Sequence, residues 1–450
     1  MTETATSSRT RPRVVVVGAG FGGMTLVQAL RWADADVLLL DRNGYNTFQP
    51  LLYQVATGGL NPGDVTYALR AFTVKHQNAR FRQGCVTGVD TSAKRVTLAD
   101  GASIDYDYLV IGTGVTANFF GIPGAAENSL TIYTRREALA TRDHLFAGLE
   151  KLAVEQGKDG RAQVVVVGGG ATGVEMAGTL AEMLNGAVPY AYPELDPARL
   201  GVVLVEMGGD VLSPFKRGLR SYAARALRRR GVDLRLNTTV AEVTPTQVRL
   251  TDGEVIDTRT VIWATGVTAH QVVSTWGLPQ GRGGRISVGP DMRVVGCEDV
   301  FCIGDVAGDA DSPLPQLAQP AMQQGQHVAE MISRLLAGMP TTSFTYKDKG
   351  IMATIGRRAA VAQLPIGISM RGTLAWLAWV ALHVMVLLSN RNRFAVMTNL
   401  SLRYLSWPRN TNVIIGDWET SPTPQPTHQP SEDTADLRAA DPSREPAPQP

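Results

Sequence analysis

The chain has 450 residues, of which 44% are hydrophobic and 19% are charged, with 46 glycines and a formal net charge of +2. This composition is typical of a folded, glycine-rich α/β protein of two or three domains, and the near-neutral charge argues against a nucleic-acid binder. Three cysteines exclude a disulfide scaffold, and no metal site is expected because no cysteine and histidine cluster has zinc spacing. Residues 1–13 contain no apolar segment, which argues against a secretory signal and predicts the cytoplasmic side.

The first predicted element is a buried parallel strand, Val14–Val17, because this run of β-branched residues is short and does not alternate. A Rossmann-type glycine fingerprint follows it directly. Its first two glycines permit a tight turn and close approach of a pyrophosphate, and its third lets the next helix pack closely. The predicted dinucleotide contacts are Gly18, Gly20, Phe21, Gly22 and Gly23.

Acidic residues end two of the next predicted strands. Asp41 follows the apolar run Val37–Leu40, about 23 residues after Gly18, where this fold hydrogen-bonds a ribose hydroxyl. Residues 299–305 end in Gly-Asp and resemble the flavin-ribityl motif of the two-dinucleotide flavoprotein reductases, whose first site holds FAD. Asp305 is therefore a predicted FAD ligand, and a helix N-cap is the alternative and compatible role. Between them, the strand from Tyr108 ends in small residues at Gly114, as is needed beneath a dinucleotide.

A second unit repeats this plan, with the strand Val164–Val167, a fingerprint and a strand ending at Glu206. The spacing from Gly168 to Glu206 is about 38 residues, which indicates an inserted proline-bearing loop over 185–199. An acid at this position binds the ribose of NAD and repels the extra phosphate of NADP, so NADH is preferred. The predicted NADH contacts are Gly168, Gly170, Gly173, Glu206, Ala264, Thr265 and Gly266.

This pattern predicts an α/β fold with two Rossmann-like dinucleotide-binding domains, the second inserted in the first. Hydride passes from nicotinamide to flavin across the domain interface, and the protein supplies alignment rather than a nucleophile. Glu175 lies two residues after the last glycine of the second fingerprint, where it meets the nicotinamide end. The alternative is an N-terminal helix acid that the helix dipole favours.

The electron acceptor is indicated by a missing redox cysteine pair and by two glutamines on one helix face. Residues 46–57, where disulfide reductases carry a redox cysteine pair, contain no cysteine. Cys297 and Cys302 have a Cys-x4-Cys spacing, but Cys302 lies within a predicted buried strand and is a structural thiol. Gln319 and Gln323 lie four apart on one face of a predicted helix, and neutral amides suit the carbonyl oxygens of a quinone. An ordinary helix terminus is the alternative that spacing alone leaves open.

Four segments together resemble the bacterial type II NADH dehydrogenases: Asn46–Thr57, Gly169–Glu175, Ala318–Gln324 and Asp348–Gly356. The resemblance covers roughly residues 12–416, with departures at Pro320 and in the long tail. It implies a non-proton-pumping NADH:quinone oxidoreductase in which the glutamine pair lies beside the flavin at the quinone pocket. The quinone is menaquinone or ubiquinone. Further FAD contacts follow from it: Arg42, Thr47, Gln49 and Ala321.

The C-terminal region carries a membrane signal. Between Asp348 and Asp417 there are eight basic residues and no acidic one, a combination that suits an anionic lipid surface when it lies beside apolar helices. Residues 372–390 carry no formal charge and are just long enough to span. The following helix places Val396, Met397, Leu400, Tyr404 and Trp407 on one face, opposite Asn399 and Arg403, which favours a helix pair lying in the membrane interface. A hydrophobic dimer interface is the alternative, and both are compatible.

The expected organisation is an FAD-binding domain over 12–130 and 290–345, an NADH-binding domain over 131–289, a membrane-anchoring region over 346–416 and a disordered tail over 417–450. We expect a homodimer, peripheral on the cytoplasmic face of the inner membrane. Two rival interpretations are a soluble NADH reductase of ferredoxin or rubredoxin type and a flavin-bearing redox sensor or interaction protein. The arginine-rich apolar segment over 371–407 counts against the soluble reductase.

Overall fold

The structure is a computed structural model that describes residues 11–154, 162–308 and 314–405. The first region of the chain is a βαβ unit followed by two small antiparallel sheets. Its elements are β1 (Arg13–Val17), α1 (Phe21–Ala29), β2 (Asp36–Asp41), β3 (Tyr45–Thr47), α2 (Leu52–Ala56), β4 (Thr66–Ala68), α3 (Leu69–Thr73), β5 (Ala79–Gln83), β6 (Val86–Asp90), β7 (Arg95–Leu98), β8 (Ser103–Asp105), β9 (Tyr108–Ile111) and β10 (Val115–Ala117).

A second βαβ unit begins after two helices that lead out of the first region. Its sheet has the strand order β13-β12-β11-β16-β15-β14, with β11, β12, β13 and β16 parallel. The elements are α4 (Ala125–Asn128), α5 (Arg135–Val154), β11 (Ala162–Val167), α6 (Ala171–Glu182), α7 (Val188–Ala191), β12 (Leu200–Glu206), α8 (Arg217–Arg229), β13 (Val232–Leu236), β14 (Val240–Val243), β15 (Gln247–Leu250), β16 (Val255–Trp263) and β17 (Val267–Ala269).

The chain then returns to the first sheet through β18 (Ile286–Ser287), β19 (Val300–Cys302), β20 (Ala307–Gly308) and α9 (Ala318–Leu336). The order β19-β9-β1-β2-β5 is parallel throughout, so both fingerprints follow a central strand of a parallel sheet. The two crossings between the sheets pair with each other, because β10 runs antiparallel to β17. The insertion of the second Rossmann-like unit into the first is therefore confirmed.

The C-terminal region holds a small sheet that the sequence did not predict. Strands β21 (Ile351–Gly356), β22 (Ala359–Gln363) and β23 (Ser369–Gly372) form an antiparallel meander, which precedes α10 (Thr373–Val386) and α11 (Asn390–Leu405). Strand β21 packs on α6, so this region contacts the second nucleotide unit. Within the described ranges, no helix is both long and apolar enough to cross a bilayer. The predicted disordered tail lies outside the described residues.

Local sequence explains why the helices sit where they do. Helix α1 crosses α9 closely, since an added Cβ on Gly325 would lie 2.3 Å from the Gly22 oxygen. Such an approach needs two residues without side chains at the crossing.

The predicted loop between the second fingerprint and Glu206 was wrong. The segment 185–199 is largely helical, with a π-helical turn over Met183–Ala187 that runs on into α7, rather than an open loop.

Candidate functional site

Both glycine turns have a backbone geometry that only glycine adopts without strain. Gly18 and Gly168 have φ values of +104° and +111°. A Cβ on Gly23 would lie 2.0 Å from the Gly18 oxygen, and one on Gly173 would lie 1.8 Å from the Gly168 oxygen. Helices α1 and α6 therefore pack directly against their turns, and a side chain at the last glycine of either motif would separate them.

The second glycine of each fingerprint, Gly20 or Gly170, faces open space. An added Cβ on Gly20 or Gly170 would meet no atom within 4 Å. These residues are the N-caps of α1 and α6, whose unpaired amides and dipole attract a phosphate. The two cradles therefore fit two dinucleotides, with space for a pyrophosphate against bare backbone.

The strand-end acids make the same pair of contacts at both sites. Asp41 accepts hydrogen bonds from the Ala19 and Asn43 amides, both at 2.8 Å. Glu206 accepts from the Gly169 amide at 2.6 Å and from the Gly208 amide at 2.7 Å. Each carboxylate therefore holds its own glycine turn and keeps lone pairs for ribose hydroxyls. Burial raises the pKa of Asp41, and its two amide hydrogen bonds oppose that shift.

Small residues after β9 and β16 pass directly beneath the turns. A Cβ on Gly18 would lie 2.2 Å from the Gly112 oxygen, and one on Gly168 would lie 2.7 Å from Thr265 Cβ. The hydroxyl of Thr113 is buried and has no hydrogen-bond partner among the described residues. This unpaired hydroxyl suits a polar group of the cofactor. Only its neighbour Gly114 was predicted from the sequence at this position. The predicted contacts Gly114, Ala264 and Gly266 lie in these two segments.

Asp305 lies near the Arg285 guanidinium and the start of α9. Burial raises the pKa of its carboxyl to about 6, and the nearby Arg285 guanidinium opposes that shift. The Gly304 amide donates to Gln324 Oε1 at 2.7 Å, which fixes the motif to α9. Gln316 donates to the Asp305 main-chain oxygen at 3.2 Å. Arg285 and Gln324 are positioning residues that sequence reasoning missed, because their partners are distant in the chain.

Glu175 is buried at the contact between α6 and β21. Its side chain is 8% exposed, and Oε1 accepts the Thr354 amide at 3.2 Å. Burial raises the pKa of this carboxyl to about 8, and the hydrogen bond from Thr354 offsets only part of that shift. Glu175 is therefore protonated at neutral pH and can donate one hydrogen bond.

The two predicted glutamines of α9 have different surroundings. Both ends of the Gln323 amide pair with the main chain of Lys347. Nε2 donates to the Lys347 carbonyl oxygen at 2.9 Å, and Oε1 accepts from the Lys347 main-chain N–H at 3.0 Å. Gln319 Oε1, in contrast, is buried without a hydrogen-bond partner in the described ranges. A buried unpaired amide is costly unless a ligand satisfies it. Pro320 is tolerated because it lies in the first turn of α9, where its missing N–H is not needed.

An aromatic cluster connects the first glycine turn to the C-terminal helices. Phe21 packs edge-on against Phe48 at 5.8 Å between ring centres, Phe48 against His383 at 6.2 Å, and His383 stacks on Trp379 at 3.9 Å. His383 Nδ1 lies 2.7 Å from the Trp379 oxygen, so this nitrogen donates. Burial lowers the pKa of His383 to about 4, and the imidazole is neutral.

The remaining predicted FAD contacts lie on three segments: after β2, at or just after the end of β3, and on α9. Thr47 ends β3, and Gln49 Nε2 donates to the Tyr133 oxygen at 3.1 Å. Ala321 is buried, with its oxygen 3.0 Å from the position of a Cβ on Gly22. Arg42 is exposed beside Asp41.

The surroundings of the cysteines do not indicate a redox pair. Cys302 is fully buried in β19, and burial raises the pKa of its thiol. All three cysteines are free thiols. Within the described residues there is also no cluster of three or more histidine, cysteine or acidic side chains that could hold a metal.

The C-terminal helices present an apolar surface, but not the one predicted. Val396 and Leu400 are buried in the core, whereas Met397 is 54% exposed. Asn399, predicted to lie opposite the apolar face, donates to Asp64 at 2.6 Å and docks α11 on the first region. The side chain of Tyr404 and all of Trp407 lie outside the described residues. The exposed apolar residues, here called the apolar C-terminal surface, are Leu374, Leu377, Leu382, Met385, Leu388, Phe394, Met397 and Leu402.

Two sheets, each with a dinucleotide cradle after a central parallel strand, are the architecture of the pyridine nucleotide-disulphide oxidoreductases, and the model of that family matches residues 12–325. The NDH2 C-terminal domain model matches residues 349–406. A type II NADH:quinone oxidoreductase of Mycobacterium tuberculosis is 33% identical over 89% of this chain and 89% of its own length. An Arabidopsis thaliana internal alternative NAD(P)H-ubiquinone oxidoreductase is 32% identical over 86% and 83%. The chain belongs to the type II NADH:quinone oxidoreductases.

The architecture is shared with solved structures at lower identity. NDH2 from Plasmodium falciparum, solved in complex with NADH, superposes with a TM-score of 0.81 at 20% identity, covering 90% of this chain and all of that one. At this identity the likeness concerns the fold alone.

Proposed function

We propose that this chain oxidises NADH and reduces a membrane quinone. The observation that carries the proposal is the pair of open cradles at Gly20 and Gly170, joined on one chain to the amide oxygen of Gln319, which is buried and has no partner among the described residues. The chemistry that bound FAD would supply is two-electron transfer: a hydride is accepted from NADH, and quinone receives two electrons and two protons, of which the second proton comes from solvent. The family membership and the NDH2 C-terminal domain support this acceptor over an iron protein.

The nucleotide contacts that we propose follow from the two cradles. Asp41, Asp305 and the first fingerprint hold FAD, together with Thr113, whose hydroxyl has no protein partner among the described residues. Glu206 binds the adenosine ribose of NADH, because a carboxylate there repels the additional phosphate of NADPH. Glu175 is neutral at physiological pH and donates a hydrogen bond to the carboxamide end of the nicotinamide.

The quinone contact is assigned to Gln319 ahead of Gln323. A carbonyl of quinone accepts from an amide N–H, and a hydroxyl of quinol donates to an amide oxygen, so one glutamine serves both redox states. The free buried oxygen of Gln319 can accept from the quinol hydroxyl, and its amide N–H is the group that would donate to the quinone carbonyl. Gln323 reaches quinone only by releasing Lys347, and otherwise holds the segment that leads to β21 beside the pocket.

The proposed location is the membrane surface, with the apolar C-terminal surface lying in the lipid interface. Its exposed leucines, methionines and phenylalanine flank basic residues such as Arg371 and Arg391, a combination that binds anionic lipid. We further propose the cytoplasmic face of the inner membrane and a homodimer. Menaquinone and ubiquinone both fit the amide contact.

The quinone assignment is tested by Gln319→Leu, which is close in size to glutamine. Flavin reduction by NADH, followed by stopped-flow absorbance, should stay within about two-fold of the unaltered protein, while reoxidation by a soluble quinone analogue should slow about ten-fold or more, as expected for a lost buried hydrogen bond. Gln326→Leu, at an exposed position of the same helix, is the matched control. Equal reoxidation rates in the two variants would remove Gln319 from the quinone site.

A further inference from the structure

Helix α8 carries a dense basic surface that the proposed reaction does not use. Residues 211–232 contain seven basic residues and no acidic one. Two of them are committed to local ion pairs, Arg220 with Asp210 at 2.9 Å and Arg230 with Glu182 at 3.2 Å. Four others are exposed and form no ion pair with any described residue, and these α8 arginines are Arg217, Arg225, Arg228 and Arg229.

The helix runs alongside the strand that leads into α10. At its start, Lys216 Nζ donates to the Gly367 oxygen at 3.4 Å, in the turn before β23. In its middle, the Arg371 guanidinium lies over the Tyr222 ring at 5.8 Å, two residues before α10 begins at Thr373. The helix therefore follows the edge of the C-terminal region from the β22–β23 turn to the apolar helix.

Exposed apolar residues lie at both ends of this edge. Ile366 and Ile368, in the turn that Lys216 contacts, are 78% and 47% exposed. Leu374 and Leu377, in the first turns of α10, are 65% and 53% exposed. A basic helix between two groups of exposed apolar side chains matches the pattern of a surface that meets both headgroups and acyl chains.

Helical spacing brings the α8 arginines towards this edge. Arg225 and Arg229 follow Tyr222 at i+3 and i+7, so the three side chains share a face and the arginines neighbour the ring that contacts Arg371. Arg228 and Arg217 extend the same exposed face. The positive charge is therefore continuous with Arg371 at the start of α10.

We propose that the α8 arginines bind anionic lipid headgroups, so that the NADH-binding unit itself rests on the membrane beside the apolar C-terminal surface. This inference rests on the proposed membrane location. Arginine binds phosphate through two parallel N–H donors, and juxtamembrane basic residues are attracted to an anionic leaflet. A second contact of this kind fixes the orientation of the NADH-binding unit relative to the bilayer, which the apolar helices alone leave free to tilt.

The test is co-sedimentation of the FAD-loaded protein with two kinds of vesicle, pure phosphatidylcholine and phosphatidylcholine with about one third phosphatidylglycerol. The triple variant Arg225→Gln/Arg228→Gln/Arg229→Gln should bind the anionic vesicles about ten-fold to a hundred-fold more weakly and the neutral vesicles equally well. High salt should remove the difference. NADH oxidation with a soluble quinone analogue should be unchanged, which shows that the variant is folded.

A matched control carries the same change of charge at exposed arginines elsewhere. The variant Arg80→Gln/Arg136→Gln/Arg259→Gln should bind anionic vesicles within about two-fold of the unaltered protein, since charges beyond a Debye length are screened. Equal weakening in both triple variants would overturn the assignment to α8, and so would full binding by the α8 variant. A change from dimer to monomer in the α8 variant would make α8 an interface between copies. Failure of the unaltered protein to bind any vesicle would instead overturn the membrane location.

Discussion

Replacing Glu175 with glutamine removes a titrating group from the contact between α6 and β21. The carboxyl is buried, its one described hydrogen bond comes from the Thr354 amide, and its pKa is raised to about 8 from the ordinary value of 4.5. In the folded protein it therefore holds its proton up to about pH 8, whereas in the unfolded chain it loses the proton above about pH 4.5. Glutamine has nearly the same shape and never ionises.

The sign and size of the effect follow from proton linkage. Below pH 4.5 the carboxyl is protonated in both states and costs nothing. Between pH 4.5 and 8 only the folded state binds the proton, so the free energy of unfolding falls by about 1.36 kcal/mol for each pH unit. Glu175→Gln should therefore match the unaltered protein near pH 4.5 and be more stable by roughly 3 kcal/mol at pH 7, as an upper value because the buried site relaxes.

Thermal unfolding of the FAD-loaded protein, measured from pH 4.5 to 8.5, checks this expectation. The difference in Tm should grow with pH and reach several degrees. Glu330→Gln, at an exposed position of α9, should show no such trend. A difference in Tm that is the same at every pH, or an unaltered protein that is the more stable at pH 8, would refute a buried protonated carboxyl.

Three further predictions concern the cradles and the thiols. Gly170→Ala should fold normally, because nothing lies within 4 Å of the new Cβ, yet weaken NADH binding at least about ten-fold in titrations, while Gly20→Ala should lower the FAD content measured by absorbance. Glu206→Gln should raise the NADPH to NADH ratio of kcat/KM by roughly ten-fold, and an unchanged ratio would exclude Glu206 from the ribose. Cys302→Ala should retain quinone reduction, and iodoacetamide should label Cys85 rather than Cys302 in the folded protein, because only the former is exposed.

The nucleotide units could be predicted because their signals are local. A run of β-branched residues, a glycine turn and an acid at the next strand end are all read within one βαβ unit, and each has the same meaning wherever it occurs. Asp41 and Glu206 accordingly hold equivalent positions, even though the second spacing is much longer. Extra helical residues after α6 lengthen the connection without moving the strand end.

The C-terminal region was harder because its signals are not local. Strands β21–β23 are short, and their register depends on packing against α6 rather than on their own pattern. Helix α11 has two apolar faces, so periodicity alone cannot tell which one is buried. Contacts distant in the chain accompany the observed orientation: Asn392 donates to the Thr66 oxygen at 2.7 Å and Asn399 donates to Asp64, 335 residues away. Val396 and Leu400 face inward, and Met397 lies on the surface.

The two glutamines show why a motif predicts a site better than it predicts roles within the site. Spacing makes Gln319 and Gln323 equivalent on α9, and only the path of the following chain distinguishes them. The return of residues 345–350 past α9 brings the Lys347 backbone to Gln323 and leaves the Gln319 oxygen buried and unpaired. Since an unpaired buried acceptor is costly, its persistence beside the flavin motif is itself the argument that a ligand completes it. The proposed role of Gln319 at the quinone site thus depends on how the following chain passes α9, and not on the sequence of α9 alone.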